Sequence, residues 1–230
     1  MPSSTTTSES SNSPTTVWPR LVLGSTSPYR KELLARLGLP FETCAPRTDE
    51  QARPGEAPHD LAMRLAQAKA EDVCRQLQAL ADSKPSAQAD LPDVLVIGSD
   101  QVAELDGQAL GKPGNHQRAT EQLQAMRGHE VRFHTAVCVA RPQSAFSSTY
   151  LSTVTVTFRY LSDDDIETYL RAEQPYDCAG SAKAETLGIV LLDSILSDDP
   201  TALIGLPLIA TARLMREAGA DPLSWRRALR

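Results

Sequence analysis

The stretch Gly24-Ser25-Thr26-Ser27-Pro28-Tyr29-Arg30-Lys31 follows a short apolar run and opens a helical pattern. Exposed N–H groups at a helix start, the hydroxyls of Ser25 and Ser27 beside them and the Arg30 cation one turn in make an anion site from local geometry. The stretch has neither the Walker spacing nor the dinucleotide glycine fingerprint. Read alone, it favours a well-capped surface helix with two solvated cations.

Lys69 is the second candidate. Leu61, Leu65, Lys69, Val73 and Leu77 recur every four residues, which sets Lys69 in the apolar stripe of its helix rather than on the wet face. A lysine there either snorkels to the surface or meets an anion. On that stripe a methionine is expected to pack at least as well.

Asp100 is the third, at the expected end of the apolar run Val94 to Ile97, where a carboxylate is costly unless paired, hydrogen-bonded or bound to a metal. Asp106-Gly107 is a hairpin signal, and Lys112, between Gly111 and Pro113, is expected to return a cation to Asp100 across it. Asp at a strand end is also an ordinary turn former. Glu50 and Glu185 add carboxylates that, taken singly, read as solvated loop residues. Oxygen ligands of this kind suit Mg²⁺ or Mn²⁺, held by one or two carboxylates, waters and substrate phosphates.

The elements that must hold these residues are signalled by their ends. Ser27 suits an N-cap, Pro28 the first helical position and Gly38 the position past the helix end, giving a helix over Tyr29–Leu37. A second helix is expected from Pro58 to about Leu80, followed by a polar loop over Ala81–Pro92. A third runs over Asn115–Arg127. Alternation at Val131 to Val139 and at Val154 to Phe158 gives two strands separated by a polar turn. Ser162, followed by three aspartates, caps a helix that ends before Pro175. Gly188 to Leu192 reads as a buried strand, and Pro207–Ala218 as the last helix, stopped by Gly219. This irregular alternation favours a mixed-sheet α/β or α+β fold.

The chain has 230 residues, 41% hydrophobic and 23% charged, enough for one large core or two small lobes and unlike a wholly disordered or fibrous chain. A net charge of −6 argues against binding a nucleic-acid polymer, and no run approaches a membrane span. Cys44, Cys74, Cys138 and Cys178 form no C-x-x-C pair and read as reduced thiols of a cytoplasmic protein. The Ser/Thr-rich start, Met1 to Thr16, lacks a signal-peptide apolar core and is expected to be a disordered tail.

Taken together the motifs become specific. Ser25-Thr26-Ser27-Pro28-Tyr29-Arg30, Asp49-Glu50, Ala68-Lys69-Ala70, Gly98-Ser99-Asp100-Gln101-Val102, Gly111-Lys112-Pro113, Cys178-Ala179-Gly180-Ser181 and Gly205-Leu206-Pro207 stand in the order and spacing of the Maf family of nucleotide pyrophosphatases. The resemblance covers about Leu21 to Gly219. Ser-Asp-Gln-Val and Cys-Ala-Gly-Ser-x-Lys-x-Glu resemble the branch that hydrolyses 7-methyl-GTP, whereas the dTTP/UTP branch carries Asp-Thr at Asp100-Gln101. The chain departs from its branch at Tyr29, where Trp is usual, and at Thr186, where Gly is usual.

The resemblance implies a Maf/ITPase-like α/β fold: an elongated mixed sheet in two lobes around a nucleotide-binding cleft, commonly as a homodimer. The expected organisation is a tail over 1–18, a two-lobed domain over 19–220 and a C-terminal extension over 221–230. It also implies hydrolysis of a nucleoside triphosphate to the monophosphate and pyrophosphate with a divalent cation. Asp100 would then be the general base, with Glu50 beside it on the metal. Arg30, Lys69 and Lys112 would neutralise the triphosphate, Ser25 and Ser27 would bond its oxygens, and Tyr29, Gln101 and Glu185 would select the base. A broader or dTTP/UTP pyrophosphatase is one alternative. A non-catalytic nucleotide sensor acting on cell division is the other; it would need the cations but not Asp100.

Overall fold

The computed structural model describes residues 17–83 and 93–230, so the tail read over 1–16 and most of the loop read over 81–92 lie outside the described residues. In chain order the elements are β1 (Arg20–Gly24), α1 (Pro28–Ala35), β2 (Glu42–Thr43), α2 (Pro58–Asp82), β3 (Val94–Leu105), β4 (Gln108–Leu110), α3 (His116–Met126), β5 (Glu130–Arg141), β6 (Phe146–Phe158), α4 (Asp163–Glu173), β7 (Leu192–Leu196), α5 (Leu208–Glu217) and α6 (Pro222–Ala228). Among the described residues the strands form one sheet in the order β2-β1-β3-β5-β6-β7, with β4 paired to β3. The β1–β2 and β1–β3 pairs are parallel and the others antiparallel, which makes the sheet mixed, as expected.

Three buried clusters hold the sheet. Val94 and Val96 of β3 face α2, whose Leu61, Leu65, Ala66, Ala70 and Val73 are buried against them. Leu95 and Ile97 face the opposite way, with Leu33 and Leu34 of α1, Leu214 of α5 and Trp225 of α6. The far end of the sheet makes its own core with α3 and α4, through Ala103, Phe133, Val156, Leu123 and Ile166. β3 therefore runs through all three clusters, and of its residues Gly98, Ser99, Asp100 and Gln101 belong to none of them.

β3 is longer than its hydropathy suggests. The apolar run stops at Ile97, but the strand continues through Gly98, Ser99, Asp100 and Gln101, so Asp100 stands in mid-strand and not at its end. The pairing of β1 with β3 ends at Gly24 against Gly98, and β4 begins to pair only at Ala103. On that side the backbone of Ser99–Val102 has no strand neighbour, and this gap in the sheet edge opens the cleft.

Three other expectations are corrected. Gly188 to Leu191 is a 3₁₀ turn and not a buried strand: only Gly188 and Leu191 are buried, and an added Cβ at Gly188 would lie 2.5 Å from the Lys183 carbonyl oxygen. The strand there is β7, half-buried at Leu192 and exposed from Asp193 onward. The helix stopped by Gly219 is not the last, because Asp221 caps α6 through the N–H groups of Leu223 and Ser224, and Trp225 stacks on Trp18 with centroids 5.4 Å apart. The polar turn between β5 and β6 is confined to Pro142–Ser144, and the Ser/Thr-rich stretch after it is strand. No described helix is long and apolar enough to cross a membrane.

Candidate active site

A cleft of about 520 Å³ opens at the β3 gap. All ten residues singled out from the sequence line it: Ser25, Ser27, Tyr29, Arg30, Glu50, Lys69, Asp100, Gln101, Lys112 and Glu185.

Its first wall is the junction of β1 and α1. Ser27 is the N-cap, its Oγ accepting the Arg30 N–H at 3.4 Å, with Pro28 at the first helical position. Ser25 Oγ accepts the Ser27 N–H at 3.1 Å, so both hydroxyls are aligned by backbone at a helix start that lines the cleft. Arg30 Nε donates to the Gly205 carbonyl at 2.8 Å. Burial pushes the Arg30 guanidinium down from its usual value, opposed by the charges of Asp100 and Glu50. An arginine stays charged through such a shift, so the cleft floor keeps a cation.

The centre is Lys69. It is 5% exposed, and its Nζ lies 2.6 Å from Glu50 Oε1 and 2.7 Å from Asp100 Oδ1. The lysine on the apolar stripe does meet an anion, supplied by the protein itself. Glu50 is held below the usual carboxylate range by Lys69, with Lys112 and Arg30 adding to it, against the opposing effect of burial, which is the largest single influence. The expected pairing of Asp100 with Lys112 is corrected: the cation on Asp100 is Lys69, and Lys112 is exposed at the cleft, acting on Glu50 by its charge.

Mg²⁺ and Mn²⁺ are commonly held by one or two carboxylates with substrate phosphates completing the shell, and the converging oxygens of Glu50 and Asp100 are here both on the Lys69 ammonium. Among the described residues no cluster of three or more His, Cys, Asp or Glu side chains is arranged to hold a metal. A divalent ion here would need a phosphate to supply most of its ligands, with Glu50 and Asp100 as the carboxylates at hand.

The third wall is the segment 177–185. Lys183 Nζ lies 5.9 Å from the centre of the Tyr29 ring and 3.7 Å from Asp177 Oδ1. Burial pushes the Tyr29 phenol up, with Lys183 opposing. The Cys178 thiol is pushed up to about 12, chiefly by burial and then by Asp177, which leaves it protonated and a poor nucleophile. Desolvation against the wall raises the Glu185 carboxyl, with Lys183 opposing and Glu173 and Glu32 adding to it. Thr186, the departure from glycine, has φ −129°, so the position requires no left-handed backbone.

Gln101 differs from expectation. Its Nε2 donates to Thr135 Oγ1 at 2.9 Å and to the carbonyls of Ala202 at 3.1 Å and Leu203 at 2.9 Å, so its amino group is spent on holding a loop. Lys183, inside the motif that begins at Cys178, carries no role legible from the sequence. Nor does the Gly205 carbonyl, since a backbone oxygen leaves no compositional trace; the glycine before Leu206-Pro207 is the available signal.

The chain matches the family model described as Maf-like protein over residues 20–218. It is 60% identical over 204 residues to the 7-methyl-GTP pyrophosphatase of Albidiferax ferrireducens, covering 89% of this chain and 96% of that protein. To the proteins of the same name from Polaromonas sp. and Xanthomonas axonopodis pv. citri it is 58% and 55% identical, over 86% and 87% of this chain and 84% and 97% of theirs.

Proposed function

The chain belongs to the Maf-like family, and from that premise we propose that it is a nucleoside triphosphate pyrophosphatase whose substrate is 7-methyl-GTP, released as 7-methyl-GMP and pyrophosphate. The observation that carries the reading is the convergence of Glu50 and Asp100 on Lys69 beside Arg30, at an open sheet edge facing a helix start. A binding protein needs the cations; it does not need a carboxylate held at 2.7 Å from one of them at the cleft floor.

In this reading the triphosphate lies along the start of α1, its oxygens taken by the hydroxyls of Ser25 and Ser27 at the positive end of the helix. Arg30, Lys69 and Lys112 neutralise the charge that grows on the leaving pyrophosphate. Asp100 takes the proton of the water that attacks the α-phosphorus as the α–β bridging bond breaks. Glu50 and Asp100 would hold a divalent cation, Mg²⁺ or Mn²⁺, which when bound supplies further charge neutralisation at the reacting phosphates. The base meets Tyr29 and Glu185. The N7-methylated guanine ring carries a positive charge, attracted by an aromatic face and by a carboxylate. Gln101 acts on the loop that closes this end rather than on the base. Four unpaired cysteines support a reducing, cytoplasmic setting, and a homodimer is the assembly the family suggests.

Pyrophosphate release from 7-methyl-GTP, GTP, dTTP and UTP at equal concentration, with Mg²⁺ and with Mn²⁺, tests the reading. The expected result is a clear preference for 7-methyl-GTP. A preference for dTTP or UTP overturns the substrate, and release from none of them overturns the activity.

A further inference from the structure

The loop that joins the cleft to α5 is organised around a buried carboxylate that the proposed mechanism leaves unused. Asp199 is 4% exposed. Its Oδ1 accepts the Thr201 hydroxyl at 2.8 Å and the Thr201 N–H at 3.2 Å; its Oδ2 accepts the N–H groups of Ile209 at 2.8 Å and Ala210 at 3.2 Å. Thr201 Oγ1 in turn accepts the Leu208 N–H at 2.8 Å. The positive end of α5 and four donors compensate the charge, and such a fully bonded anion fixes the backbone around it.

That backbone offers three carbonyls to side chains of the cleft. Those of Ala202 and Leu203 are taken by Gln101, the first also by Thr135 at 2.9 Å. The third belongs to Gly205, which at φ +127° has a backbone conformation that side-chain-bearing residues rarely adopt. It accepts the buried Ser99 hydroxyl at 3.1 Å and Arg30 Nε at 2.8 Å. Arg30 is thus aimed by a carbonyl that reaches it from 175 residues further along the chain.

We propose that Asp199 is a positioning residue for the phosphate-binding arginine: with Thr201 and the start of α5 it fixes the loop through Gly205, and the Gly205 carbonyl orients the Arg30 guanidinium toward the triphosphate. The role of Arg30 rests on the pyrophosphatase reading; its orientation by Asp199 does not.

The test compares the full chain with Asp199→Asn, Arg30→Ala and the double variant. Asp199→Asn lowers kcat/KM for the triphosphate by about 10- to 100-fold, the scale of a misplaced binding group. In the Arg30→Ala background the same substitution changes kcat/KM by less than about 2-fold, because a residue acting through another has nothing left to act on. An equal loss in both backgrounds overturns the proposal and leaves Asp199 a stability residue. A second readout needs no turnover: the Arg30 Nε–H resonance, assigned by its loss in Arg30→Lys, exchanges with solvent at least about 10-fold faster in Asp199→Asn while the β1 and β3 amides keep their protection. Unchanged Arg30 exchange overturns the proposal, and this arm decides it even if the wild type releases no pyrophosphate, when only the functional reading falls. Should Asp199→Asn fail to fold, Thr201→Val cuts the same link while keeping the buried carboxylate, and both measurements carry over with the same outcomes.

Discussion

Lys69 and Asp100, 31 residues apart, meet with the ammonium nitrogen of α2 at 2.7 Å from the carboxylate oxygen of β3. The contact is made possible by a glycine. An added Cβ at Gly98 would lie 2.3 Å from the Ala66 carbonyl and 2.6 Å from the Ala70 nitrogen, so α2 rides directly on the strand. That brings the one lysine of its buried face level with Asp100 two residues further on. The centre of the site is therefore a product of helix-on-sheet packing, with no local motif at its origin.

Lys69→Met accordingly destabilises the protein, against the expectation from the apolar stripe alone. Methionine fits the stripe, but the substitution leaves the buried Asp100 carboxylate without its cation. The expected cost is about 1–3 kcal/mol, less than the ~3–5 kcal/mol of a sealed interior because the cleft admits water. Thermal unfolding of Lys69→Met and Lys69→Met/Asp100→Asn measures it. The double variant should recover most of the lost Tm, and a single variant as stable as wild type would refute the account.

Asp100→Asn keeps the shape of the site and the Lys69–Glu50 pair while removing the proton acceptor. Turnover falls by about 10²- to 10⁴-fold, the usual contribution of a general base. Nucleotide affinity measured by calorimetry changes little. Pyrophosphate release at the wild-type rate would take the base role away from Asp100.

The Glu50 loop is tied down by a second ion pair, which sets an acid limit. Arg64 Nη2 donates to the Gln51 carbonyl at 3.0 Å and to Glu56 Oε2 at 2.8 Å. Glu56 is held at about 2, below its ordinary 4.5, chiefly by Arg64 and then by the Arg53 N–H. Because the folded value is the lower one, this contribution is fully present above about pH 4.5 and is lost as pH falls toward about 2. In Arg64→Met that part of the acid loss is gone, so the difference in Tm between wild type and variant shrinks over this range. The variant also raises KM at neutral pH by freeing the backbone beside Glu50. A pH-independent Tm difference would contradict the assignment.

What the sequence makes legible follows from range. The α1 start is readable because Ser27, Pro28 and the N–H it caps lie within four residues. The length of β3 is not, since its polar half is satisfied from far away: Ser99 by Gly205, Gln101 by Ala202 and Leu203, Asp100 by Lys69. Hydropathy sees only that the apolar run stops. Gly188 to Leu192 fails in the opposite sense: the run is apolar throughout, but burial at Gly188 and Leu191 alone follows a spacing of three, which a 3₁₀ turn provides. The residues that line the cleft are readable one by one, but the partners of Lys69, Asp100 and Gln101 lie far along the chain, which is why the sequence points Lys112 rather than Lys69 at Asp100.

Base selection gives the last prediction. Glu185 lines the cleft on the same wall as Lys183, which faces the Tyr29 ring, and its carboxyl is raised by desolvation. Its charge attracts a cationic base only while it is ionised, so that attraction is present above its raised value and fades as pH falls through it, earlier than for an ordinary glutamate. The 7-methyl-GTP to GTP ratio of kcat/KM should therefore decline as pH falls in the wild type, starting from a higher pH than an ordinary glutamate would give. In Glu185→Gln it should be lower at neutral pH and flatter below it. The aromatic face of Tyr29 remains in that variant, and such a face is worth about 0.5–2 kcal/mol toward a cation, so a preference of roughly 2- to 30-fold should survive. Tyr29→Leu in the Glu185→Gln background should remove it. A ratio that stays high in the double variant would place recognition of the methylated base on other residues of the cleft.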